Sequence, residues 1–256
     1  MSGPARLAFQ IAVAREQTAG LDVGEELRVE LDGRPVEICE LAAPHGGRVH
    51  AIDSGTGALV VDYSATVTGA AEPLGADELE LLTYLQPSRY CESDRLQSLA
   101  NTEFGGLTGK ALLDGVSSWV GMHLAYVAGS SQPTDGAVET LLAGRGVCRD
   151  YAHLTVALLR GLEVPARVVA VYAPGLAPMD FHAVAEAYLD GSWRVVDPTL
   201  LAPREAMLRI ATGHDAAATA FLSSYGGKIE LESIQVHASS AGELPADDLD
   251  DLTTLR

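Results

Sequence analysis

Cysteine becomes a nucleophile when its surroundings favour the thiolate, and one of the three cysteines in this chain sits where they would. Cys148 lies in Gly144-Arg145-Gly146-Val147-Cys148-Arg149-Asp150-Tyr151-Ala152-His153-Leu154. This stretch reads as a glycine loop running into a helix. Apolar positions Tyr151, Leu154 and Ala157 or Leu158 follow at helical spacing, and Gly161 can close the far end. A cysteine in the first turn faces unpaired N–H groups and the positive end of the helix dipole, which favour the thiolate. Gly144 and Gly146 allow another backbone or a substrate to come close. The same stretch is also compatible with a small buried hydrophobe, the usual role of a free cysteine.

A nucleophilic thiol needs a base, and the base needs an acceptor to orient it. Downstream, two β-rich runs flank Asp190-Gly191, a hairpin signal. A two-residue turn there sets Tyr188 opposite Trp193 and Val184 opposite Asp197. Residues two apart share a face, so His182, Val184, Glu186 and Tyr188 lie on one side with Trp193, Val195 and Asp197. His182 and Asp197 then become diagonal neighbours with Cβ atoms roughly 7 Å apart, within reach of a side-chain hydrogen bond. A one-residue bulge would put them on opposite faces.

Cys148, His182 and Asp197, in that chain order, complete the set. The phrases GVCRDYAHL, PARVVAVYA, DFHAVAEAYLDGSW and VVDPT resemble the core of the transglutaminase-like superfamily of cysteine enzymes. The likeness covers roughly residues 134–199. Fainter likeness to the bacterial two-domain branch extends to LQPSRYCESD (85–94) and RIATGHDA (209–216). The chain departs from the family at Val184, where an aromatic residue often stands two after the histidine.

The resemblance implies an α+β fold with a papain-like cysteine-enzyme core, in which a Cys helix packs on an antiparallel sheet bearing His and Asp. It also implies acyl transfer. Cys148 attacks an amide carbonyl, His182 protonates the departing amine, a thioester forms, and Asp197 orients His182. The oxyanion needs donors. The Cys148 N–H is the natural first one. The family draws the second from an upstream side chain, for which Tyr90, Trp119 and Gln132 are the candidates. Water as acceptor gives peptide or amide hydrolysis, the reading favoured for a compact bacterial-type chain without calcium modules. An amine as acceptor gives protein-glutamine amine transfer. A non-catalytic binding member is the third reading, although such members usually lose triad residues.

Other residues compete for chemical roles. His153 lies five after Cys148, about 140° around the helix, and cannot share its face. Cys91, in a Pro-Ser-Arg-Tyr-Cys turn, is a weak alternative nucleophile, and that turn is a candidate cleft wall. Asp150 and Glu186 are expected to pair with Arg149, Arg145 or Arg167. His214-Asp215 reads as the start of a short helix capped by Asp215. No local cluster supplies the ligands of a zinc site, so neither metal nor cofactor is expected.

The positioning elements fall into two parts. Residues 1–72 read as a smaller N-terminal β domain, with strands expected at 8–14, 26–31, 35–41, 48–52 and 59–67 separated by glycine-rich turns. His45 and His50 read as solvated loop residues, and Cys39 as strand packing. Residues 73–238 form the expected catalytic core. Helices are expected at 77–85, 94–100, 109–126 and 136–142, then the Cys148 helix, the hairpin strands and a closing strand at 228–237. Residues 239–256 read as an acidic, mobile tail.

The chain has 256 residues, 47% of them hydrophobic, and a formal charge of −18. That is enough to bury a substantial core, and the charge repels nucleic acid and anionic membranes. No basic run with interleaved aromatics appears, and no apolar run approaches the roughly 20 residues that span a bilayer. Three widely spaced cysteines point to reduced thiols, and the short apolar run near residues 7–14 reads as a strand rather than a signal sequence. A cytoplasmic protein acting on a peptide or protein amide is the expectation; its oligomeric state is left open.

Overall fold

The computed structural model describes residues 2–15, 21–69 and 75–255. In chain order the strands are β1 (Ser2–Phe9), β2 (Leu21–Leu31), β3 (Arg34–Pro35), β4 (Cys39–Ala42), β5 (Arg48–Ser54) and β6 (Leu59–Gly69). Helices α1 (Glu78–Thr83), α2 (Ser93–Phe104) and α3 (Gly109–His123) follow. Then come β7 (Ala125–Tyr126), α4 (Ala137–Ala143), β8 (Arg145–Gly146) and α5 (Cys148–Gly161). The chain continues through β9 (Ala166–Tyr172), β10 (His182–Leu189), β11 (Ser192–Val196), β12 (Leu208–Gly213), α6 (Ala216–Thr219) and β13 (Leu222–Lys228). The mixed helix and antiparallel-sheet architecture is the α+β class expected.

The core is α5 laid on an antiparallel sheet of order β11-β10-β9-β12. Every residue of α5 from Asp150 to Gly161 is buried, polar ones included. A helix buried all round needs cover on every side. The sheet supplies one side through Ala166, Val168, Ala185, Ala187 and Val196, while α2, α3 and α4 enclose the rest. The opposite face of the sheet carries a second apolar cluster that includes Val169, Val171, Val184, Val195 and Met207. Val184, the position that departs from the family pattern, is therefore part of this outer core.

The N-terminal strands make two sheets, β13-β1-β5-β4 and β3-β2-β6. The closing strand runs over 222–228 rather than 228–237, and it pairs with β1 through Phe9↔Leu222 and Leu7↔Ser224. Phe221 and Leu222 are seated against the β1 cluster and Gly226-Gly227 press on Gly3-Pro4, so pairing starts at the apolar end of the segment. The expected boundary at 72/73 lies outside the described residues.

Three expectations need correcting here. Cys39 is exposed, because β4 is an edge strand whose four residues all face solvent. His50 is buried on β5 and meets Glu40 at 3.1 Å. His45 bonds the Tyr84 hydroxyl at 2.7 Å, and burial together with the nearby Arg167 and Arg209 charges pushes its pKa down to about 4, leaving it neutral.

The acidic stretch at 239–256 also differs from expectation. Its last described part lies against the body: the Val195 N–H donates to Thr253 O at 2.8 Å, and Leu255 is only 2% exposed. Composition hides this, because a few leucines spaced among aspartates supply the anchors.

Candidate active site

Cys148 opens α5, directly after the Arg145-Gly146 strand. The Asp150 carboxylate turns back to accept the Val147 N–H at 2.8 Å, which fixes the entry of the helix. Asp150 is fully buried and takes its charge partner from Arg149, whose Nη2 stands 2.8 Å away. Arg149 in turn donates to Ser131 Oγ at 3.0 Å and to the Gln132 carbonyl at 2.9 Å. Gly146 is required by this packing: a Cβ there would lie 2.6 Å from the Asp150 Cβ. Asp150 is thus a structural partner of Arg149, as expected.

The hairpin has the expected register, with Tyr188 opposite Trp193 and Ala185 opposite Val196. Asp190 and Gly191 both take positive φ, 52° and 78°, the conformation of a two-residue turn of this kind. The ladder stops at Val196, just before the Val184–Asp197 pair. His182 Nε2 stands 2.9 Å from Asp197 Oδ2, and both side chains are almost wholly buried. Asp197 Oδ1 accepts the Thr199 N–H at 3.0 Å and its hydroxyl at 2.7 Å, so the carboxylate is held at both oxygens. Burial alone would lower the His182 pKa. The hydrogen bond to Asp197 and the interaction with Cys148 outweigh it and push the value up to about 10. The other ring nitrogen, Nδ1, is buried without a hydrogen-bond partner among the described residues. Thr199→Val should cost about 2 kcal/mol, by loss of one hydrogen bond to a buried carboxylate. A thermal melt should then show a Tm drop of about 4–8 °C. Thr199→Ser should keep most of the stability.

Tyr126, a residue the sequence did not single out, is a neighbour of Cys148, close enough for that residue to act on its hydroxyl. Burial, followed by the Cys148 charge, pushes its pKa up to about 12, with Asp180 adding to the rise. β7 reaches this place by pairing in parallel with β8, Tyr126 opposite Gly146. Residue 126 still falls within the apolar helical pattern expected at 109–126, but the helix ends at His123. The extended run from Leu124 beside a glycine loop was the signal for a short strand.

Two of the three upstream candidates lie elsewhere. Tyr90 stacks on His153 at 5.5 Å and its N–H donates to Asp215, beside the middle of α5 rather than its start. Trp119 donates Nε1 to Glu103 at 3.1 Å and stacks on His123 at 3.7 Å. Gly121, about 200° further round α3, is the residue packed on Pro198 beside Asp197, so the indole faces away. Gln132 is next to the site through its carbonyl, held by Arg149, and is exposed.

The turn at 85–91 lies against the middle and end of α5. Cys91 is fully buried, and burial pushes its thiol up to about 12. Arg160 of α5 binds the turn and the 213–216 segment together, donating to Gln86 O at 3.0 Å and His214 O at 2.9 Å. His153 is buried and neutral, its pKa lowered to about 4 by burial, and its Nε2 accepts the Ala216 N–H. Asp215 caps α6 through the Ala217 N–H, as expected. Glu186 pairs with Arg167 and Arg209. Among the described residues no group of three or more His, Cys, Asp or Glu could hold a metal ion, and no helix is long and apolar enough to cross a membrane.

Residues 100–198 match the sequence profile of the transglutaminase-like superfamily. An uncharacterized protein of Mycobacterium leprae is 33% identical over 92 residues, which cover 32% of this chain and 32% of that protein. The match thus spans about a third of that relative's length. A candidate cysteine protease of Cytophaga hutchinsonii, known from its crystal structure, is 30% identical with a TM-score of 0.78, over 98% of this chain and 91% of that one. The periplasmic domain of TgpA from Pseudomonas aeruginosa covers 78% of this chain and 91% of its own at 20% identity, with a TM-score of 0.42. The profile falls on the segments carrying Cys148, His182 and Asp197, and the likeness to the Cytophaga protein runs through nearly the whole chain: this protein belongs to the transglutaminase-like superfamily.

Proposed function

We propose that this protein hydrolyses peptide or protein amides through a Cys148 thioester. The observation that carries the reading is the oriented imidazole: Nε2 of His182 is fixed on Asp197, and Cys148 is among the groups that hold the ring protonated. Cys148 sulfur attacks the carbonyl carbon. The C–N bond breaks as His182 delivers its proton to the departing amine, leaving a thioester. Water then attacks, His182 takes its proton, and the C–S bond breaks to release a carboxylate and restore the pair.

In this reading the Cys148 N–H, in the first turn of α5, and the neighbouring Tyr126 hydroxyl serve as the two oxyanion donors. Tyr126→Phe should therefore lower kcat by roughly 10²-fold with little change in KM. Steady-state kinetics on any peptide found to be cleaved will measure this.

Hydrolysis is favoured over amine transfer because the site is open. Tyr126 is 44% exposed, Asp180 is exposed and Cys148 is only partly covered, so water reaches the thioester. The relative at 30% identity, a candidate cysteine protease, supports the same choice. The test is incubation of a complex peptide mixture in H₂¹⁸O with a biotinylated primary amine present, read by mass spectrometry against Cys148→Ala. New ¹⁸O-labelled carboxyl groups that require Cys148 are expected. Biotin incorporation without ¹⁸O would replace hydrolysis by transfer.

A further inference from the structure

Residues 244–255 touch both chain segments that hold the His182–Asp197 pair. At one end, Leu244 packs on Gly175, in the connection that leads from β9 into His182. A Cβ at Gly175 would be 3.0 Å from Leu244 Cδ1 and 3.2 Å from Pro203 Cδ. Next, Asp247 binds Arg204, in the connection that leaves Asp197. The Arg204 Nε lies 3.0 Å from Asp247 Oδ1, and its Nη2 donates to Asp248 O at 2.6 Å. Arg204 is 8% exposed, so this ion pair is largely sheltered.

The segment then closes the sheet. β11 is an edge strand, and its outward Val195 N–H is taken by Thr253 O, while Arg194 Nη1 donates to Leu252 O at 3.1 Å. An open edge beside Asp197 is thereby satisfied. Finally Leu255 enters the outer cluster with Val171, Val184 and Val195. Val171 lies directly across from His182, Val184 is two residues beyond it on the same face, and Val195 is two residues before Asp197. The apolar bed beneath the pair is completed by this side chain.

We propose that residues 244–255 are a positioning strap for the His182–Asp197 pair, coupling the segment entering His182 to the segment leaving Asp197. Its anchors are the Arg204–Asp247 ion pair, the hydrogen bonds to the Asp248, Leu252 and Thr253 carbonyls, and a few leucines, of which Leu244 and Leu249 remain 43% and 53% exposed. Surface segments with few buried apolar contacts open locally before the core does.

The inference rests on the pair being the reactive centre, but its test reads His182 directly and so does not depend on finding a substrate. The full chain and a chain ending at Ser240 are compared by NMR titration of the His182 ring and by pH-dependent alkylation of Cys148 with iodoacetamide. Loss of the strap should lower the His182 midpoint by about one unit or more, since a looser Asp197 stabilises imidazolium less. It should also slow Cys148 alkylation at pH 6 by roughly tenfold, with Cys39 as internal standard. A synthetic peptide of residues 241–255 should restore both. If the shortened chain does not fold, Leu255→Asp and Asp247→Asn in the full chain carry the same expectation. An unchanged His182 midpoint in a folded strapless or Leu255→Asp protein would overturn the proposal. Absence of any ¹⁸O or amine product in the full chain would instead count only against the catalytic reading.

Discussion

His182→Ala should lower kcat/KM by about 10⁴-fold and bring the alkylation rate of Cys148 at pH 6 down to that of exposed Cys39. The size follows from the number of jobs the ring does. In the proposed hydrolysis it holds the proton given to the departing amine, takes one from water, and keeps a counter-charge beside the sulfur, so its loss removes the unit rather than one contact. The ring is also a stability element. Its pKa in the folded chain is about 10, against 6.5 for a free side chain, despite burial that opposes the charge. A group raised on folding contributes fully below its unfolded value and loses that contribution as pH climbs through the folded one. Wild type should therefore lose stability relative to His182→Ala between about pH 6.5 and 10, and the two should run parallel below that window. Denaturant melts at pH 6, 8 and 10 measure this. A constant difference across the three would mean the ring is not charged in the fold. Cys148→Ala should narrow the window without closing it, because Asp197 remains at 2.9 Å.

What could be read in the sequence was what depends on local period and local turn chemistry. Asp190-Gly191 accepts positive φ, so the hairpin register follows from two residues. Strand parity then places His182 and Asp197 on one face without any tertiary information. The glycine loop and the apolar spacing after it located the start of α5 in the same way. The rest depended on segments far apart in the chain. His45 lies in a turn-rich stretch that looks solvated, yet it is half-buried because α1 and β9 bring Tyr84, Glu80 and Arg167 to it. Cys39 shows the converse: alternation suggests packing, but whether a strand lies at an edge is settled by which strands pair. Tyr126 was masked by an apolar helical spacing that runs past the true end of α3. The strap was masked by composition, since Asp247 looks solvated until Arg204 is placed beside it.

Glu186→Gln should be the most damaging single change for stability, costing about 3–5 kcal/mol and lowering Tm by about 10 °C. Glu186 lies two turns of the pleat beyond His182 on the same face of β10 and is fully buried. It accepts Arg167 Nε at 2.8 Å and Arg209 Nη2 at 2.6 Å. Arg167 comes from β9 and Arg209 from β12, and the ring centroid of Trp193 of β11 lies 3.8 Å from the Arg167 guanidinium carbon. Each strand of the β11-β10-β9-β12 sheet thus contributes one member to a single buried belt. Arg167 also reaches Glu80 of α1 at 2.7 Å. Burial would raise the Glu186 pKa, but the two arginine charges and their hydrogen bonds bring it down to about 2. Its contribution should therefore be complete above about pH 4.5 and be lost only as pH falls through about 2. The neutral amide of Gln leaves two buried cations facing each other with too little negative charge, and that desolvated repulsion sets the size of the loss. Replacing the three charged members together, as Arg167→Met, Glu186→Leu and Arg209→Met, removes the unpaired charges and should recover much of the stability lost by Glu186→Gln. Recovery should remain incomplete, because Glu80 loses its buried partner. Alkylation of Cys148 in Glu186→Gln, measured well below its melting temperature, should stay near the wild-type rate. His182 owes its charge to Asp197 and Cys148, and neither touches the belt. A rate that fell with Tm would make belt and reactive pair one cooperative unit, and the sheet rather than the hairpin would then be what holds His182 in place.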